Sequence, residues 1–147
     1  IRFNKLFNGY SPTPQGVIKL SEIDLRKAGL SKQKVAYLKD LSFHFYEKIL
    51  RPHRLHHMGN DEVICQLTRV HGIGRWTAEM FLIFSLNRPD VLPVGDLGLQ
   101  LALKKLYRMR QLPTVKRMRT IGRKWNPLET VGTWYAWRAQ DEKIVSY

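Results

Sequence analysis

One cysteine, Cys65, stands in a chain of 147 residues. A disulfide needs two thiols and a cysteine-only zinc or iron–sulfur site needs more, so neither forms within a single copy of the chain. Long apolar runs are also missing. The strongest, Met80 to Leu86, is a turn or two of helix, against the roughly 18 residues that span a bilayer. Ile1–Tyr10 holds neither the apolar stretch nor the small-residue cleavage site of a secretory signal. No period-two alternation bounded by hairpin turns is present, which argues against a sheet. Acid is scarce: 12 Asp and Glu stand against 25 Lys and Arg, a formal net charge of +13. The hydrophobic fraction of 44% supports a packed core and excludes wholesale disorder. The expectation is a basic helical domain of a reducing compartment with a polyanionic partner. Nucleic acid comes first, and an anionic membrane surface or another polyanion after it.

The placement of the charge says more than its sum. The two halves of the chain are about equally basic, so no detachable basic tail exists. Between Leu97 and Leu128, however, there is no acidic residue, while Lys104, Lys105, Arg108, Arg110, Lys116, Arg117, Arg119, Arg123 and Lys124 all fall there. A solvated helical face and a phosphate-tracking surface both fit that run, the second because each neutralised phosphate releases counterions.

Helix signals divide the chain. Thr13-Pro14 reads as an N-cap and first helical residue of a short helix through Leu20. Ser21-Glu22-Ile23-Asp24 reads as a capping box opening another, which Gly29 stops. Ser31 caps the longest amphipathic stretch, Lys32 to Ile49, with Val35, Leu38, Leu41, Ser42, Phe45 and Ile49 on one stripe. Asn60 or Asp61 begins the next helix, and an apolar helix from Arg75 to Leu86 follows a Gly-Ile-Gly turn. Asn87–Gly95 reads as a loop, Asp96 as the N-cap of a leucine-rich helix, and Pro113-Thr114 as a further start. Asn126-Pro127 reads as the start of the last helix, through Trp137. The fold class is all-α, a multi-helix bundle. His53, His56 and His57 fall in a loop without a carboxylate or cysteine at ligand spacing, and read as solvated surface.

Two places are chemically unusual. In Leu67-Thr68-Arg69-Val70-His71-Gly72-Ile73-Gly74-Arg75-Trp76-Thr77-Ala78, two glycines flank one apolar residue just before a helix N-terminus. Such a turn fits a plain corner between helices, and it also presents backbone N–H groups to an anion. The second place is Leu92-Pro93-Val94-Gly95-Asp96-Leu97-Gly98. As a cap, Asp96 contributes about 1 kcal/mol. A carboxylate can also be both cap and catalyst, because the cap fixes its rotamer.

Together these strings resemble the helix–hairpin–helix DNA glycosylase superfamily, and within it the 3-methyladenine DNA glycosylase branch that removes alkylated purines. The match is densest from Val70 to Leu106, through Gly72-Ile73-Gly74-Arg75-Trp76-Thr77-Ala78, Phe84-Ser85-Leu86, Arg88-Pro89-Asp90 and Gly95-Asp96-Leu97-Gly98. It extends to Gly29-Leu30-Ser31 and Lys34 upstream, and to Trp125-Asn126-Pro127 and Trp134-Tyr135-Ala136-Trp137 downstream. The resemblance implies a single helical domain over 1–147, a helix–hairpin–helix over about 61–86 and an aspartate loop over 87–98. Family sequences usually begin earlier. Ile1-Arg2-Phe3 resembles the end of a helix, so an N-terminally truncated domain is expected, lacking its first helices and the wedge residue.

The resemblance also assigns roles. Asp96 is the catalytic carboxylate, and Trp76 and Trp137 are aromatic walls for the extruded base. For Trp137 a place in the core fits as well; Trp134 is expected in the core and Trp125 is expected to be structural. Gly72, Ile73, Gly74, Arg75 and Thr77 form the hairpin that binds a DNA phosphate. The backbone carbonyls of Thr68, Val70 and Ile73 would hold a monovalent cation, sodium or potassium, and no cofactor is expected for catalysis. His71 stands where relatives often carry proline, a departure expected to loosen the turn. Bifunctional relatives carry a nucleophilic lysine where this chain has Trp76, and no lysine lies between Cys65 and Leu103. Simple hydrolysis of the N-glycosidic bond, leaving an abasic site without lyase cleavage, is the implied reaction. The expected partner is double-stranded DNA containing alkylated bases, bound by a monomer with no membrane role. The expected location is the nucleoid in a bacterium or the nucleus in a eukaryote. The competing expectation is a non-catalytic helix–hairpin–helix DNA-binding module.

Overall fold

Caps set the boundaries of the helices. In the computed structural model, which describes residues 2–140, five side chains accept the backbone N–H three residues ahead. Thr13 accepts from Gly16 at 3.1 Å, Ser21 from Asp24 at 3.1 Å and Ser31 from Lys34 at 3.2 Å. Asp96 accepts from Leu99 at 2.6 Å and Thr114 from Arg117 at 3.2 Å. Each bond satisfies one of the N–H groups that a helix start leaves without an intrahelical partner.

Ten helices form among the described residues, and no strand. They are α1 Arg2–Lys5, α2 Pro14–Lys19, α3 Glu22–Lys27, α4 Lys32–Tyr46 and α5 Pro52–Leu55. Then follow α6 Asn60–Leu67, α7 Arg75–Phe84, α8 Leu97–Leu106, α9 Val115–Gly122 and α10 Glu129–Arg138. None of these is long and apolar enough to cross a membrane. The chain divides into two compact units, Ile1–Gly74 and Arg75–Tyr147.

In the first unit α4 packs on α2 and α3, burying Val17, Leu25 and Val35. α4 ends at Tyr46, three residues short of the expected Ile49, because Lys48 turns into the left-handed region at φ 56°. The stretch around the histidines is not wholly loop. Pro52 starts the single turn α5, which holds His53 and is capped by His56, and its Leu55 is buried. α6 begins at Asn60 with Gly59 as its cap residue, and buries Val63, Ile64 and Leu67.

In the second unit α8 packs on α10. Leu99, Ala102, Leu103, Met118, Ile121 and Ala136 form its core, with Leu92, Val94, Met109, Trp125 and Trp137 partly buried against it. α7 ends at Phe84, two residues before the expected Leu86. α10 starts at Glu129 rather than at Asn126-Pro127, and its cap residue, Leu128, makes no side-chain capping bond.

The loop that precedes Asp96 is fastened to α10 by Thr130. The Thr130 hydroxyl donates to the Arg88 carbonyl at 2.7 Å and accepts the Val91 N–H at 3.1 Å. The Thr130 amide donates to the Pro89 carbonyl at 2.8 Å. Substituting Thr130→Val keeps the shape and removes the hydroxyl, leaving the N–H of buried Val91 without its acceptor. Urea denaturation should show a loss of about 1–3 kcal/mol.

Candidate active site

The site is assembled around the carboxylate of Asp96, which is half-buried at the start of α8. Its backbone N–H donates to the Pro93 carbonyl at 2.9 Å, closing the loop onto the helix. Oδ1 accepts two hydrogen bonds, from the Leu99 amide at 2.6 Å and from the Trp137 indole Nε1 at 2.8 Å. Oδ2 accepts one, from the Trp76 indole Nε1 at 2.9 Å. Three donors from α7, α8 and α10 therefore fix both oxygens, and Oδ2 retains one acceptor direction. Gly98 leaves the space this needs. A Cβ there would lie 3.1 Å from Asp96 Oδ1 and 3.5 Å from Trp137 Nε1.

The structure thus brings together the three residues that the sequence singles out for chemistry, by an arrangement of the indoles that the sequence does not show. Both direct their N–H groups at the carboxylate. Trp76 remains 51% exposed. Trp137 is half-buried on α10 and packs against the second unit's core as well as facing Asp96, so both of its expected places hold in part. Phe84, which the sequence reading leaves outside the site, stacks on Trp137 with centroids 6.1 Å apart and planes 13° from parallel. Trp134 corrects its expectation: it is 51% exposed rather than part of the core, because α10 turns Thr133 and Ala136 inward instead. Trp125 fills a structural place, its ring lying where a Cβ on Gly132 would stand.

Beneath this face, Glu79 of α7 is 3% exposed. Arg75 Nε donates to its Oε1 at 2.9 Å. Burial pushes the Glu79 carboxyl above the usual carboxylate range, the Arg75 guanidinium pulls it back, and the negative charge of Asp96 raises it further.

The hairpin closes the first unit. Gly72 sits at φ 89°, and a Cβ there would meet the Tyr37 ring at 2.3 Å, so the position needs glycine for both conformation and space. Gly74 differs from Gly72. It is not among the positive-φ residues, and an added Cβ would meet nothing within 4 Å. His71 corrects another expectation. Its N–H, which proline lacks, donates to Asp40 Oδ2 at 2.7 Å, and its ring meets Tyr37 edge-on at 4.9 Å. The turn is tied down there rather than loosened. Ile73 is half-buried, and its N–H donates to the Val70 carbonyl at 3.1 Å. Arg75 and Thr77 open α7 on its exposed side.

Three neutral carbonyls, those of Thr68, Val70 and Ile73, would offer hard oxygen donors of the kind that suit an alkali cation rather than a transition metal. Val70 oxygen already accepts one hydrogen bond, and a carbonyl has a second lone pair. Among the described residues no group of three or more His, Cys, Asp or Glu side chains is gathered to hold a metal ion. The cations from Lys104 to Lys124 are exposed apart from half-buried Lys104, and among the described residues none is in an ion pair with a carboxylate.

The raised carboxyl of Glu79 makes stability depend on pH. The unfolded chain releases that proton first, so the folded state loses stability as pH rises through the folded value. Glu79→Gln keeps an acceptor for Arg75 and removes the titration. Thermal denaturation from about pH 4 to pH 7 should show the wild type falling progressively against this variant; parallel curves would contradict the assignment.

Comparison with known proteins places this geometry. Residues 2–127 match the family profile of the HhH-GPD superfamily base excision DNA repair proteins. The DNA-3-methyladenine glycosylase 1 of Schizosaccharomyces pombe is 33% identical over 141 residues, which are 95% of this chain and 61% of that protein. A putative DNA-3-methyladenine glycosylase of Bacillus subtilis is 32% identical over 128 residues, 87% of this chain and 45% of that protein. The chain thus spans 61% and 45% of the lengths of these two relatives. Among solved structures, a DNA-3-methyladenine glycosidase from Bacillus halodurans superposes with a TM-score of 0.86 at 40% identity, covering 94% of this chain and 64% of that one. The Schizosaccharomyces pombe enzyme bound to abasic DNA gives 0.81 at 33% identity, covering 93% and 69%. The chain belongs to the HhH-GPD superfamily of base excision DNA repair proteins, in its 3-methyladenine DNA glycosylase branch.

Proposed function

We propose that the protein is a monofunctional DNA glycosylase that hydrolyses the N-glycosidic bond of alkylated purines in duplex DNA, 3-methyladenine and 7-methylguanine among them, and leaves an abasic site. The observation that carries this reading is the Asp96 carboxylate, held by two indoles and a helix amide in a fixed orientation at a half-exposed position. Breaking the bond between the sugar and the base nitrogen sends the electron pair to the purine and leaves an oxocarbenium-like sugar. A fixed carboxylate stabilises that cation and orients the water whose oxygen bonds the sugar carbon and whose proton is lost. A methylated purine cation leaves readily and needs little general-acid help. The base reaches the site by leaving the duplex, and the aromatic faces of Trp76 and Trp137 attract its positive charge.

The rest of the chain supports the same reading. The hairpin Gly72-Ile73-Gly74, presenting the N–H groups of Gly72 and Gly74 and followed by Arg75 and Thr77 at the start of α7, would receive a DNA phosphate. The Thr68, Val70 and Ile73 carbonyls would hold a sodium or potassium ion, which supplies positive charge toward that phosphate. The exposed cations between Lys104 and Lys124 add sequence-independent attraction. With Trp76 where a lyase carries its lysine, strand cleavage requires a separate treatment of the abasic product.

The test is release of methylated purines from alkylated duplex DNA by the wild type and by Asp96→Asn. Asparagine caps helices about as well as aspartate. The variant keeps the cap through its one oxygen and loses the Trp76 bond, so it should lose only about 1 kcal/mol of stability while releasing bases roughly 100- to 1,000-fold more slowly. Equal release by both would remove Asp96 from the chemistry. DNA binding without any release by the wild type would leave a non-catalytic helix–hairpin–helix module. Strand breaks formed before alkali treatment would overturn the monofunctional assignment.

A further inference from the structure

Phe84 has no evident reason to be where it is. It ends α7, 58% exposed, outside the set Ala78, Glu79, Leu82 and Ile83 that α7 buries. A phenyl ring left more than half in water contributes little to a core. Among the described residues its ring partner is Trp137, almost parallel at a centroid distance within the range of offset-stacked aromatic pairs. Trp137 in turn donates its indole N–H to Asp96 Oδ1, the oxygen that also caps α8.

An indole has two side-chain torsions, and a bond from one edge leaves the ring free to swing about the axis to that edge. Asp96 fixes the Nε1 edge of Trp137, and the partly buried side chain packs against the core of the second unit. Phe84 lies alongside the ring. We propose that Phe84 is a positioning residue for Asp96, acting through Trp137: its face sets the plane of the indole, and that plane aims the N–H at Oδ1. Trp76 reaches Oδ2 independently from the first turn of α7. Phe84 therefore governs one of the two indole bonds and leaves the other alone. The role rests on the glycosylase reading only for its effect on rate; the geometric link stands apart from it.

Two variants separate the ring from its bulk. Phe84→Leu keeps an apolar side chain without a flat face, and Phe84→Tyr keeps the face. The indole N–H resonances of Trp76 and Trp137 are followed in proton–nitrogen correlation spectra, with Trp76→Phe and Trp137→Phe each removing one signal to assign it. In Phe84→Leu the Trp137 signal should move toward that of a solvent-exposed indole while the Trp76 signal stays, and release of methylated purine at saturating enzyme should slow roughly tenfold. Phe84→Tyr should restore both. A residue that only supports the fold would lower the melting temperature without moving one indole selectively. An unmoved Trp137 signal in Phe84→Leu overturns the proposal, whether or not release slows. A wild type that releases no base overturns the glycosylase reading alone, and the indole signals still decide the link.

Discussion

The hydrogen bond from the Leu99 amide to Asp96 Oδ1 is the contact on which the second unit turns. It starts α8, and α8 supplies Leu99, Ala102 and Leu103 to the core. It also ends the loop, since the Asp96 amide is committed to Pro93 and its side chain to the helix. A capping aspartate has a restricted rotamer because its oxygen must meet an amide three residues ahead. That restriction carries the other oxygen to a definite place, where the Trp76 indole meets it. The stability of the helix and the geometry of the site are thus set by one carboxylate.

This sharing shapes the surroundings. Oδ1 serves the cap and Trp137 at once, which demands a small residue at position 98, and glycine is there. The loop needs a second anchor because one cap cannot hold twelve residues of connection between α7 and α8, and Thr130 of α10 provides it. Glu79 meets the same electrostatics from below. Burial and the charge of Asp96 both disfavour its ionised form, and Arg75 counters them. Of two neighbouring carboxylates, the deeper one bears the desolvation and the outer one stays half in water.

Much of this was legible in the sequence, and the boundary is physical. Caps are local. Thr13, Ser21, Ser31, Asp96 and Thr114 each act on an amide three residues away, so spacing alone identifies them. Asp96 was legible for the same reason. The indole bonds were not, because they join residues 20 and 41 positions apart and depend on ring orientation. Phe84 was hidden in a run, Met80 to Leu86, whose apolar residues look alike from composition. Only the helical phase of α7 separates its exposed ring from buried Leu82 and Ile83. Trp134 misled for the converse reason, since α10 is apolar on several sides and its buried face runs through Thr133 and Ala136. α5 was missed because a single turn has too few residues to show a period. At the hairpin, glycine at 72 was legible as a special conformation, but the Asp40 bond that fastens His71 crosses 31 residues.

The donors around Asp96 are all neutral. Two indoles and one amide orient the carboxylate, and among the described residues no lysine or arginine is in an ion pair with it. That choice separates two jobs which a cation would merge. A guanidinium bound to both oxygens would hold the group firmly and also cancel its charge, leaving little to stabilise a sugar cation. Indole N–H groups hold it by dipoles and leave the net charge in place. The chain has cations in excess, and the long basic run begins after Asp96, yet these side chains stand in solvent along Lys104 to Lys124. On the proposed reading, the exposed cations would attract the duplex, and none of them is placed on the carboxylate that would stabilise the sugar cation. A chain of net charge +13 can therefore hold this carboxylate without a cationic partner, because the side chains that donate to it are aromatic rather than basic.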